Sequence, residues 1–226
     1  LSHFWSSVRA IVWKDLKAEF RTKEMLSSML IFAFLVIVIF SFAFDPGAQS
    51  VKQILPGVIW VGFLFSGILG LNRSFLSEQI NDAISGLMLA PVDRAAIYFG
   101  KVFGNLIQTT LVEAIALPVF IILFDFNYAG SWLWLILVIL ASTFGFVAVG
   151  TFLAALASNT RSSEVLLPII LFPVIVPVVI GAVELTKALF AGADISTVMI
   201  WLQVICVYDV VFTVVPFLLF DYLLEA

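Results

Sequence analysis

Two carboxylates stand in stretches of this sequence that water cannot reach. Glu113 interrupts the otherwise uncharged run 102–124, and Asp209 interrupts 195–220. A charge at the centre of a bilayer costs about 2.5–3.5 kcal/mol on insertion scales. Each acid therefore lines a polar conduit, gate or proton path, or is carried neutral or hydrogen-bonded to neighbouring helices. No Lys or Arg opposes them within a span. They could imitate an aspartyl pair, but no Gly-x-Gly-Asp or Ser/His arrangement accompanies them, and an intramembrane enzyme is the weakest reading. The single His (His3) excludes HExxH zinc chemistry and a paired-His haem site within the chain. The single Cys (Cys206) excludes a disulfide framework and a Cys-rich metal site. Gly100-Lys101 is followed by Val102, and G-x-x-x-x-G-K-[ST] is absent. The chain cannot hydrolyse ATP by the P-loop route, so any ATP that drives it is spent by another subunit. No catalytic, cofactor-binding or metal-ligating residue is assigned.

The elements that must position these acids follow from composition. Of 226 residues, 63% are hydrophobic and 12% charged, where a soluble domain is nearer half apolar and a quarter charged. A water-facing surface cannot be built from such a chain, and the net charge of −4 offers no basic field for nucleic acid. Charged residues punctuate the apolar runs, which predicts an all-α integral membrane protein with six transmembrane helices at about 25–44, 53–72, 102–124, 131–158, 165–183 and 197–220. Each is long enough at about 1.5 Å per residue to cross a hydrocarbon core of about 30 Å. The alternation of barrel strands is absent. Six spans put both termini on one face. Nine Lys and Arg fall on that face and two, Lys52 and Lys187, on the other. The positive-inside rule then makes both termini cytoplasmic, in a multi-pass protein of the plasma (bacterial inner) membrane.

Residues 1–24 read as an amphipathic helix rather than a signal peptide. Phe4, Val8, Ile11, Val12, Leu16 and Phe20 recur at helical spacing between Arg9, Lys14, Lys17 and Arg21. Such a helix lies along the membrane, held by its apolar face and by anionic lipid, or else packs on the bundle as a plain extension. Within the spans, Gly62, Ser66 and Gly70 form a small-residue stripe suited to close helix packing, within the chain or against a second copy. Pro168, Pro173 and Pro177 free backbone carbonyls in the fifth span and predict a kink or break.

The one long polar connection is 73–101. Its first part carries Glu78 and Asp82, Ser85-Gly86 suggests a break, and Leu87-Met88-Leu89 leads to Pro91, which holds Ala90 extended. Asp93 is placed to cap a helix entering the third span. The segment reads as a helix–break–helix elbow able to dock into a partner's groove, or as an ordinary connecting loop.

Together with this elbow, ILPGVIWVGFLFSGILGLNRSF at 54–75, the E-x7-G-L-x-L-x-P pattern of Glu78, Gly86, Leu87, Leu89 and Pro91, the Gly-Lys at 100–101 and LLPIILFPVIVPVVI at 166–180 resemble the haem exporter protein B (CcmB) family. The likeness covers nearly the whole chain. It implies an ABC exporter permease-like subunit of the cytochrome c maturation complex that dimerises and takes a separate CcmA-like ATPase on the elbow. It also implies a CcmC-like haem-handling membrane protein and a small CcmD-like subunit as partners. ATP turnover in that system serves release of the haem-loaded chaperone, and haem is the system's cargo rather than a cofactor of this chain. With His3 on the cytoplasmic side and only four Met, no evident axial ligand pair faces outward, although Tyr can also ligate haem. Two further readings stand beside this one: an ABC exporter permease for a lipid or polysaccharide, and a non-transporting membrane scaffold of the maturation complex.

Overall fold

The computed structural model describes residues 2–44, 49–80, 93–125, 128, 130–158 and 163–223. Its elements are α1 (Ser2–Thr22), α2 (Glu24–Ala43), α3 (Gln49–Ile80), α4 (Arg94–Leu123), α5 (Trp132–Ser158), α6 (Ser163–Phe190), a 3-10 turn at Ile195–Val198 and α7 (Met199–Leu223). Six segments, one in each of α2 to α7, are long and apolar enough to cross a membrane. The protein is an all-α integral membrane protein, with six such helices and one leading helix among the described residues.

Two helices outrun the expected spans. α4 begins at Arg94 rather than near residue 102, where the Asp93 side chain accepts the Ala95 N–H at 3.0 Å and caps the first turn. Lys101 was expected to stand just before the third span, yet it lies inside α4, where Asp15 of α1 pairs with it. α6 continues to Phe190 past Glu184, whose Oε1 lies 3.7 Å from Lys187 Nζ one turn further on. A charge ends a span only where it must stay in water; paired with an opposite charge it can be carried by the helix.

α3 and α5 form the middle of the bundle. In α3, 72% of the span is buried, against 11% in the outermost span of α7. α5 packs against α3, α4, α6 and α7, and its Ala148, Gly150, Thr151, Ala154 and Ala157 are small enough to let four neighbours approach. The core divides into two clusters. Trp60, Phe63, Phe120, Leu135 and Leu185 centre the first, and Leu71, Tyr98, Phe146, Leu167 and Leu171 the second.

The Gly62, Ser66 and Gly70 stripe faces α2. A Cβ on Gly62 would meet Val36 at 3.7 Å, and one on Gly70 would press on Met29 Sδ at 2.6 Å. Ser66 Oγ donates to the Met29 carbonyl at 2.9 Å. α6 runs unbroken through Pro168, Pro173 and Pro177. Helix neighbours and local adjustment absorb freed carbonyls inside a bundle, so a proline there need not interrupt the helix.

Candidate functional site

The polar residues of α4 fall on one buried face. Lys101, Asn105, Gln108, Thr109 and Glu113 recur at three- and four-residue intervals, and each is no more than 4% exposed. Two of them are answered by α5. Asn105 Nδ2 donates to Thr151 Oγ1 at 3.1 Å, and the Thr143 hydroxyl lies 2.8 and 3.0 Å from the two carboxylate oxygens of Glu113. The result is an interior polar seam between antiparallel helices. Membrane interiors make such pairs worthwhile, since the alternative is a polar group facing hydrocarbon.

Asp209 is not part of this seam. It sits on α7 over Gly145 of α5, where a Cβ would overlap its Oδ1. Thr143 and Gly145 are two residues apart, which turns them about 200° around the helix. Glu113 and Asp209 therefore lie on opposite sides of α5, and the structure does not bring the two acids into one site. On the Asp209 side, Asp209 Oδ1, Tyr208 Oη and Ser142 Oγ are buried without a hydrogen-bond partner among the described residues; Gln108 Oε1 and Thr110 Oγ1 of α4 share that state. Each such atom costs about 1–3 kcal/mol of lost solvation. Strain of this kind accumulates where function requires polar groups that packing alone would not keep.

The end of the seam nearest the amino terminus carries a latch that the sequence did not announce. Lys101 Nζ lies 2.8 Å from Asp15 Oδ2 of α1, with the lysine 3% and the aspartate 15% exposed. Gly100 makes room for Ile11, whose Cγ2 would lie 2.7 Å from an added Cβ, and Asp15 lies beside Gly104. α1 is thus seated on the first turns of α4, with Val8 and Ile11 buried and Trp5, Trp13 and Phe20 left outside. Its apolar face divides between the bundle and the surroundings. A second tie joins α1 to α2, where Glu19 Oε1 accepts the Leu26 N–H at 2.8 Å and Lys23 turns the chain with φ 57°. Tyr98 adds a third tie, its hydroxyl donating to the Ala148 carbonyl at 3.1 Å with the Phe212 carbonyl 3.4 Å away. The sequence reading missed Asn105, Gln108 and Thr109, although their spacing between Lys101 and Glu113 is the signal that could have found them; Asp15, Thr143 and Thr151 carry no mark as partners of this face.

Of the elbow residues, Glu78 lies in the last turn of α3, its side chain outside the description, and Asp82, Gly86, Leu87, Leu89 and Pro91 lie outside the described residues. The helices on either side are in place, with α3 reaching Ile80 and α4 starting at Arg94.

The family described as CcmB protein matches residues 6–221, which takes in all six membrane helices and most of α1. The chain belongs to the CcmB protein family. Among its relatives are proteins named heme exporter protein B. That of Rhodobacter capsulatus is 29% identical over 180 residues, 80% of this chain and 82% of the relative. That of Paracoccus denitrificans is 28% identical over 198 residues, 88% and 90% of the two chains. The Haemophilus influenzae protein is 27% identical over 185 residues, 82% of each. The matched range includes the residues of the α4–α5 seam and of the Asp15–Lys101 latch.

Proposed function

We propose that this chain is the membrane permease subunit of an ABC-type complex for cytochrome c biogenesis. It has no ATPase site of its own, and it couples ATP hydrolysis by a CcmA-like subunit to release of a haem-loaded chaperone. The observation that carries this reading is the match to the CcmB family over residues 6–221, with relatives named heme exporter protein B aligned over at least four-fifths of each chain. Both termini are cytoplasmic in the plasma membrane, and the 73–101 elbow between α3 and α4 takes the ATPase. A CcmC-like membrane protein, a CcmD-like small subunit and a second copy of the chain complete the assembly.

The separation of Glu113 and Asp209 across α5 favours work done on a partner over passage of haem through this chain. A conduit for so large a planar molecule needs its polar groups on one lined path, and here they flank a packed helix. The test is co-purification of the chain with its neighbouring ATPase in detergent, comparing wild type with Gly86→Arg and Pro91→Ala. Loss of the ATPase from folded, inserted variants is the expected result. Full retention by both variants removes the elbow as coupling site, and no ATPase on the wild-type chain removes the permease reading.

A further inference from the structure

A groove of about 910 Å3 runs between α1 and α4 beside the latch, lined by Trp5, Arg9, Trp13 and Leu16 of α1 and by Phe103 and Ile107 of α4. Its floor does not end at Ile107. Ile107, Leu111 and Ile115 are 39%, 37% and 46% exposed and recur every four residues, so the apolar strip continues along the outside of α4 into the membrane-crossing part of the helix. The other end is different. Arg9 has no carboxylate partner among the described residues, and Trp5 and Trp13 stand half to two-thirds exposed on either side of it. Tryptophans of this kind settle at the level of lipid headgroups.

We infer that this groove is a discrete site for one anionic phospholipid, with its phosphate against Arg9 between the two tryptophans and an acyl chain along Phe103, Ile107, Leu111 and Ile115. Charge complementarity selects the headgroup, and continuity with the lipid-facing strip selects an acyl chain over a soluble anion. The guanidinium offers paired donors suited to a phosphate. This differs from general attraction of a basic helix to an acidic surface, which would draw equally on Lys17 and Arg21 elsewhere on α1.

The experiment uses the full chain in detergent, stripped of lipid, titrated with phosphatidylglycerol or with phosphatidylethanolamine of the same acyl chains and read by native mass spectrometry. The expected result is one phosphatidylglycerol held about tenfold more tightly than phosphatidylethanolamine, a difference of about 1.4 kcal/mol. Arg9→Gln abolishes that preference and Arg9→Lys keeps most of it. Ala10 also lines the groove, and Ala10→Phe, which fills it without changing charge, lowers retention of both lipids. Lys17→Gln combined with Arg21→Gln leaves the preference intact. Equal retention of the two lipids by the wild-type chain overturns the site. An equal loss in the Lys17 and Arg21 variant replaces it with diffuse surface attraction, and displacement of the lipid by millimolar glycerol phosphate replaces it with a site for soluble phosphate.

Discussion

At the scale of single residues, the buried Asp15–Lys101 pair and the Asp209–Gly145 approach carry the sharpest consequences. Removing one partner of a buried pair leaves the other charged and unanswered, at a cost of about 3–5 kcal/mol, whereas replacing both by apolar groups of similar size is close to neutral. Asp15 is 15% exposed and keeps Lys14 3.1 Å away, so Lys101→Met is expected to lower unfolding stability in detergent by less than that, about 1–2 kcal/mol. Lys101→Met with Asp15→Leu is expected to recover most of the loss; additive losses in the double variant would show that the pair is not coupled. Gly145→Ala places a methyl group against Asp209 Oδ1. Overpacking of this sort costs about 1–3 kcal/mol, and pairing it with Asp209→Ala is expected to relieve much of that cost. Stability of the two single variants and the double variant checks this, with non-additivity as the signature of contact.

At the scale of helices, α2 is held to α3 by close packing along Gly62, Ser66 and Gly70, and α4 to α5 by the polar seam. The two should respond differently to substitution. Gly70→Leu drives a branched side chain into Met29 and Met25 and is expected to cost about 3 kcal/mol, the upper end for overpacking. Asn105→Leu removes a single hydrogen bond to Thr151, worth about 0.6–2 kcal/mol between membrane helices. Thermal unfolding of the two variants under one detergent condition ranks them; an Asn105 variant that outranks Gly70→Leu would mean that the seam, rather than the stripe, holds the bundle. The helices themselves were legible in the sequence, because long apolar runs broken by at most one charge have few other fates. Their ends were less so. Lys101 reads as a boundary only while its partner is unknown, and that partner lies 86 residues away in the chain. The polar face of α4 went unread beyond Glu113, although the three- and four-residue spacing of Lys101, Asn105, Gln108 and Thr109 carries it; its complement on α5 depends on the register of two antiparallel helices, which spacing on either one cannot set. Glu113 and Asp209 looked like companions because both are acids in mid-span, and only the angular positions of Thr143 and Gly145 on α5 separate them.

At the scale of the whole molecule, α3, α4, α6 and α7 pack around α5, and the two acids lie on opposite sides of it. Under the proposed function, Glu113→Gln is expected to preserve membrane insertion and co-purification with partners, because Gln retains an acceptor for Thr143, while lowering cytochrome c maturation in cells by an order of magnitude. Undiminished maturation would assign Glu113 to packing alone. The Asp15–Lys101 latch also bears on how the protein is made. Chains leave the ribosome amino terminus first, so α1 emerges complete while the lysine that seats it is still to be synthesised. Until α4 has been threaded into the bilayer, Asp15 has its neighbour Lys14 for company, 3.1 Å away in the finished structure, and Ile11 has no Gly100 to rest on. Docking of the first helix is therefore a late event in biogenesis, and it marks the moment at which the third membrane segment has arrived.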